Sequence, residues 1–136
     1  MTNRWLLKTE PSDYSFADLE REGRTIWDGV GNNLALIHMR NVRRGDEALI
    51  YHTGGERSVV GIARVVSDPY ADPALGDPKR AVFDVEVRRR LARPLSLDEI
   101  KADPAFSGFD LLKNSRLSAM PVPEPLYQRI LALAGG

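Results

Sequence analysis

With 136 residues, the chain has enough for one domain with one core and too few for two ordinary ones, so a single domain over 1–136 is expected. Hydrophobic residues at 43 % and charged residues at 28 % are normal for a globular protein. The 19 basic and 19 acidic side chains cancel, which argues against a general nucleic-acid coat protein held by many phosphate contacts. No cysteine is present, which excludes disulfides, thiolate zinc sites and cysteine nucleophiles. No apolar run approaches bilayer length, and charge returns at Lys8, too early for a secretory signal, so a cytoplasmic protein with no membrane attachment is expected.

In chain order, RWLLK (4–8) reads as a short buried strand closed by Glu10-Pro11. Ser12–Glu22 reads as a helix with a Ser15/Asp18 capping box, ended by Gly23. Thr25–Trp27 is short and extended. The Gly29–Asn33 turn follows, and Asn32 or Asn33 can cap a helix through Arg40 on which Leu34, Ile37 and His38 share one face. EALIYHT (47–53) and SVVGIARVVS (58–67) look like a hairpin across Gly54-Gly55-Glu56, and Gly61 inside a strand suggests a bulge or a close backbone approach. Asp68–Lys79, with three prolines and three aspartates, reads as an exposed loop. Arg80–Arg89 alternates as a half-buried strand, with Phe83, Val85 and Val87 on one face. Ser96 and Glu99 form a second capping box opening Leu97–Ala102. Leu111-Leu112 and Leu117–Met120 are apolar patches around a polar link, and Pro125 suits the first turn of a last helix to Ala134. Short sequential strands mixed with helices point to an α+β fold, a small mixed β-barrel with flanking helices, rather than a parallel sheet.

His38 and His52 stand in no metal-ligand spacing, and Gly29-Val30-Gly31 lacks the context of a phosphate-binding loop; no metal and no cofactor is expected. Lys8-Thr9-Glu10 places an amine, a hydroxyl and a carboxylate on consecutive residues, which suits either a small hydrolase or a strand-end ion pair. Trp27 beside the amides of the following turn suits either core filling or a pocket for a flat heterocycle, stacked on the indole and read at its edge. Charge is uneven: residues 40–93 hold 11 basic and 8 acidic side chains, including Arg43-Arg44, Lys79-Arg80 and Arg88–Arg90.

Five pieces in order, WLLKTEPSDYSFADL (5–19), TIWDGV (25–30), GDEALIYHTG (45–54), VVGIARVV (59–66) and RLSAMPVP (116–123), resemble the EVE domain family of the PUA-like superfamily, which is similar to the YTH readers of methylated adenine. The resemblance implies a PUA-like barrel whose pocket takes an extruded or unpaired modified base of DNA or RNA. It places Lys8, Thr9 and Glu10 at the pocket rim and Trp27 as the stacking wall with Asp28 beside it. It also matches Asn32, Tyr51, His52, Thr53, Arg116 and Ser118 to family positions, as ligand-binding candidates. Each has a structural alternative: Asn32 as a helix cap, Tyr51 and His52 as core, Arg116 as an ion pair. Gly31 and Leu36 stand where many members carry arginine, and Asn33 where they carry tyrosine. The expected function is non-catalytic binding of a modified base, with basic residues of 40–93 on phosphates. The alternatives are a small hydrolase of a modified base or nucleoside, and a sensor of a free heterocyclic metabolite.

Overall fold

Strand β1 (Arg4–Thr9) lies parallel to β3 (Glu47–His52), the arrangement that organises the computed structural model, which describes residues 2–135. Strand β4 (Ser58–Val65) returns antiparallel to β3, as the hairpin reading predicts, and pairs in turn with the long β6 (Ala81–Ser96). Outside β6 lies β2 (Arg24–Trp27), and outside β1 lies β7 (Ala119–Pro121), both antiparallel, so the path runs β2-β6-β4-β3-β1-β7. The two-residue β5 (Tyr70–Ala71) pairs with the start of β6, a small addition inside the predicted loop. This mixed sheet curls into a half-barrel flanked by five α-helices, so the expected α+β fold with a small mixed barrel is present.

The helices begin where local chemistry says they should. Helix α1 (Phe16–Glu22) starts at the Ser15/Asp18 capping box and ends as the Gly23 N–H reaches the Leu19 carbonyl. It starts four residues later than expected, because the N–H groups of Asp13 and Tyr14 bond the Glu10 carbonyl in a tight turn. Helix α2 (Asn33–Asn41) is capped by Asn32, whose Oδ1 accepts the Ala35 N–H at 3.0 Å. Helix α3 (Leu97–Ala102) follows the Ser96/Glu99 capping box; α4 (Asp110–Lys113) and α5 (Glu124–Leu133, with Pro125 in its first turn) complete the set.

Two differences from the sequence reading have clear causes. On α2, Ala35, Leu36 and Met39 are buried while Leu34 and Ile37 are 43 % and 45 % exposed, so the face shared by Leu34, Ile37 and His38 points largely outward. The helix packs against both β6 and β7, near opposite ends of the sheet, and only one face can do so. Strand β6 extends to Ser96 rather than stopping at Arg89. Its pairing with β4 is interrupted between Arg90 and Leu95, an irregularity that contains Pro94, and resumes with Leu95 against Val59.

Gly61 is the close approach that its sequence position suggests. The Phe16 ring lies over it, so an added Cβ would fall 2.3–2.7 Å from ring carbons. The ring is fully buried and the Phe16 N–H donates to His52 Nε2 at 3.0 Å, fixing α1 to the sheet. Gly61→Ala should therefore cost about 1–3 kcal/mol in chemical denaturation, as overpacked cores do. Adding Phe16→Leu should recover part of that loss. A Gly61→Ala variant as stable as the parent would contradict this packing.

Candidate base-binding site

The end of β1 sits across the curl from the end of β2. These strands are not neighbours in the sheet. Between them lies a cavity of about 390 Å³, lined by Lys8 and Thr9 of β1, Tyr14 of the following turn, Thr25, Ile26 and Trp27 of β2, and Asp28. Trp27 is 6 % exposed and its ring meets the Tyr14 ring edge-on, centroids 6.3 Å apart at 83°. Trp27 belongs to the core and is also among the residues that line the cavity. Trp5, by contrast, spends its indole N–H on the buried Asp46 carboxylate at 2.9 Å.

Several polar groups at and just behind the rim are held by specific contacts. Lys8 Nζ donates to the Ser115 carbonyl at 3.1 Å and stands 5.8 Å from the Tyr51 ring centroid. Partial burial lowers the Lys8 pKa from its usual value. Thr9 Oγ1 donates to the Tyr14 carbonyl at 2.6 Å, which ties the turn back to the strand. The Glu10 carboxylate accepts from the Ser12 N–H and hydroxyl and from Thr53 Oγ1, and the Ser12 N–H in particular holds its pKa below the usual range. Tyr14 donates its hydroxyl to Glu22, and its pKa is pushed up to about 12, first by burial and then by that carboxylate.

Four of the residues singled out from the sequence, Lys8, Thr9, Trp27 and Asp28, line the cavity directly. Glu10, Tyr51, Thr53 and Ser118 stand behind the rim: Thr53 N–H bonds the Thr9 carbonyl, and the Lys8 N–H bonds the Ser118 carbonyl. His52 is buried, accepts from Phe16 at Nε2 and faces Glu56 at 2.7 Å through Nδ1, which places it in the support of α1 rather than in the cavity. Asn32 caps α2 from an exposed position, and Arg116 is exposed on the segment after Ser115. Tyr14, Thr25, Ile26 and the Ser115 carbonyl escaped the sequence reading. Tyr14 lies in the quoted TEPSDY stretch, but nothing local shows that its ring turns toward Trp27.

Thr9 and Lys8 donate to main-chain carbonyls and not to each other. No group of three or more metal-ligating side chains occurs among the described residues. Among the described residues no helix is long and apolar enough to cross a membrane. A larger cavity, about 700 Å³, opens at the other end of β1 between Trp5, Phe109 and Pro123, and none of the candidate site residues lines it. On its wall Arg4 pairs with Glu47 at 2.7 Å and lies 3.4 Å from Glu124.

The chain matches the family described as EVE domain over residues 3–133. It is 30 % identical over 167 aligned residues to rat thymocyte nuclear protein 1, covering 98 % of this chain and 74 % of that one. A solved structure from Rhodopseudomonas palustris superposes with a TM-score of 0.93 at 34 % identity, covering 98 % of this chain and 94 % of the other. The crystal structure of human THYN1 protein in complex with 5-methylcytosine-containing DNA superposes with a TM-score of 0.90 at 26 % identity over 99 % of both chains.

The Tyr14 phenol offers a direct check on this geometry. Its pKa of about 12 lies above the ordinary 10, so the folded protein keeps the proton longer than the unfolded chain does. This contribution to stability is complete below pH 10 and is lost as pH rises toward 12. Tyr70, also pushed up to about 12, first by burial and then by its hydrogen bond to Asp84, behaves likewise. Burial raises Tyr51 and Tyr127 as well, so phenolate absorbance in a pH titration should show all four tyrosines titrating late, with Tyr14 and Tyr70 near 12, and Tyr14→Phe should remove one of these last two. Ordinary titration of all tyrosines near pH 10 would contradict the Tyr14–Glu22 contact.

Proposed function

The chain belongs to the EVE domain family, and from that premise we propose that it is a non-catalytic module that takes a modified nucleobase of DNA or RNA into the cavity walled by Trp27. The observation that carries this reading is the pairing of aromatic side chains with polar groups around one cavity. Trp27 and Tyr14 offer flat apolar surface, while Lys8, Thr9 and Asp28 offer polar groups at its edge. The volume, about 390 Å³, falls within the roughly 300–1,000 Å³ of small-ligand pockets. The 5-methylcytosine DNA bound by the human relative supports a modified pyrimidine in DNA as the first ligand to try. A cytoplasmic setting belongs to the same reading.

Physical chemistry sets the terms of such binding. Extruding a base from a duplex costs a few kcal/mol, least where the base is unpaired or mismatched. Stacking on an aromatic ring returns about 1–3 kcal/mol per base. The remaining discrimination must come from the cavity edge, where a wrongly placed polar group is left without a partner.

Tryptophan fluorescence titrated with matched oligonucleotides, with and without 5-methylcytosine, tests this. Tighter quenching by the modified strand should be seen in the parent protein. Trp27→Ala, checked for folding by circular dichroism, should lose about tenfold or more of that affinity, consistent with the loss of one stacking partner. Equal affinity for both strands, unchanged in Trp27→Ala, would overturn the reading. Release of a product from the modified base, abolished in Lys8→Ala, would favour the hydrolase. Free nucleoside binding as tightly as the oligonucleotide would favour a metabolite sensor.

A further inference from the structure

The turn that leaves the cavity, residues 29–32, is met from the far side by a guanidinium. Arg80, just ahead of β6, reaches across so that its Nη1 lies 3.4 Å from the Val30 carbonyl oxygen. A Cβ built on Gly31 would fall 3.0 Å from the same nitrogen. Glycine at 31 is thus what leaves room for Arg80. The positive charge absent from position 31 itself is supplied by a residue 49 positions later in the chain.

Arg80 does not stand alone. Beyond it lies an open cleft of about 430 Å³ whose walls include Arg40 and Arg43 at the end of α2. Arg40 Nη1 donates to the Lys79 carbonyl at 3.2 Å, and Arg43 Nη1 donates to the Arg40 carbonyl at 2.7 Å. The end of α2 and the loop before β6 are therefore in contact, and Arg44 follows directly in the chain. Three acidic residues share the region. Asp68 accepts the Arg44 N–H, Asp72 the Ala74 N–H and Asp77 the Lys79 N–H, so each spends an oxygen on main chain.

Among the described residues the ion pairs leave this region out, as they also leave out Lys8, Arg57, Arg64, Arg89, Lys101, Lys113 and Arg116. Arg4, Arg21, Arg24, Arg88, Arg90, Arg93 and Arg129 each lie within 4.0 Å of a carboxylate. Among the described residues no such partner is recorded for Arg40, Arg43, Arg44, Lys79 or Arg80. Two members of the longest basic run in the sequence are spoken for, Arg88 by Glu47 and Arg90 by Glu20. A guanidinium bonded only to carbonyls retains its full charge for a phosphate, which it can grip through two parallel N–H bonds.

We propose that Arg80, Lys79, Arg40, Arg43 and Arg44 form a phosphate-binding track that leads from the turn beside Trp27 and holds the nucleic-acid backbone while the base occupies the cavity. The proposal rests on the base-binding reading above. Its members act through charge, so they strengthen binding of modified and unmodified strands alike. They touch no part of the cavity and leave binding of a lone nucleoside unchanged.

The test compares Arg40→Ala/Arg43→Ala/Arg80→Ala with Arg88→Ala/Arg90→Ala, using fluorescein-labelled DNA with and without 5-methylcytosine at several salt concentrations. Free 5-methyl-2′-deoxycytidine, read by Trp27 quenching, is the second probe. In the parent, log affinity should fall linearly with log salt, by about 0.9 per phosphate engaged on duplex DNA. The triple variant should reduce that slope by roughly 1 for each arginine removed. It should weaken both strands by the same factor and bind the nucleoside as the parent does. The Arg88/Arg90 variant should keep the parent slope. An unchanged slope in the triple variant, or an equal loss in the Arg88/Arg90 variant, overturns the track and leaves the cavity intact. Failure of the base-binding reading looks different: Trp27→Ala has no effect and the modified strand has no advantage, whatever the salt slope.

Discussion

The site depends on how Phe16 is held against the sheet. Its main-chain N–H is fixed by His52 Nε2, and its ring fills the space that Gly61 leaves empty. These two contacts set the first turn of α1 against strands β3 and β4. Because β1 ends at Thr9 and α1 begins at Phe16, the six residues between must cross the gap in one arrangement. That arrangement carries Tyr14 to Trp27 and closes one side of the cavity. A buried histidine and a glycine without site chemistry of their own thereby position the residues that have it.

The same logic explains the polar rim. On the proposed reading, a cavity for a flat ring needs donors and acceptors that do not collapse onto one another in its absence. Lys8 and Thr9 meet this need by bonding to carbonyls of neighbouring segments, Ser115 and Tyr14. Each group is held by a single hydrogen bond to a neutral partner, which is exchanged for a ligand at lower cost than a buried ion pair would be. Glu10 sits just outside, committed to Ser12 and Thr53, and so stabilises the turn.

Net neutrality conceals an uneven use of charge. On one flank, arginines and carboxylates pair across strands and helices, as Arg88 does with Glu47 and Arg90 with Glu20. Around the end of α2 and the loop before β6, the carboxylates instead serve the loop's own main chain. Counting charges along the sequence could not separate these regions, because the most conspicuous basic run, Arg88–Arg90, is the one with paired members.

Much was legible in the sequence because its causes are local. Ser15 with Asp18, Ser96 with Glu99, and Asn32 before α2 act within three residues, and each marks a helix start that the structure keeps. The glycine at 61 announced a close approach, and the ordered pieces from WLLKTEP to RLSAMPVP carried the family and its fold. What the sequence could not decide were contacts between distant segments. The inward face of α2 was settled by its position between β6 and β7, and Tyr14 became a cavity residue only once α1 was docked. Strand β6 ran past Arg89 because Leu91 and Leu95 are buried, despite the charges and the proline between. The sequence by itself determined the longer elements in outline, the caps at Ser15, Asn32 and Ser96, and the family. The tertiary structure alone decided which of the candidate residues meet, because the curl of the sheet brings together the ends of β1 and β2, strands that do not pair.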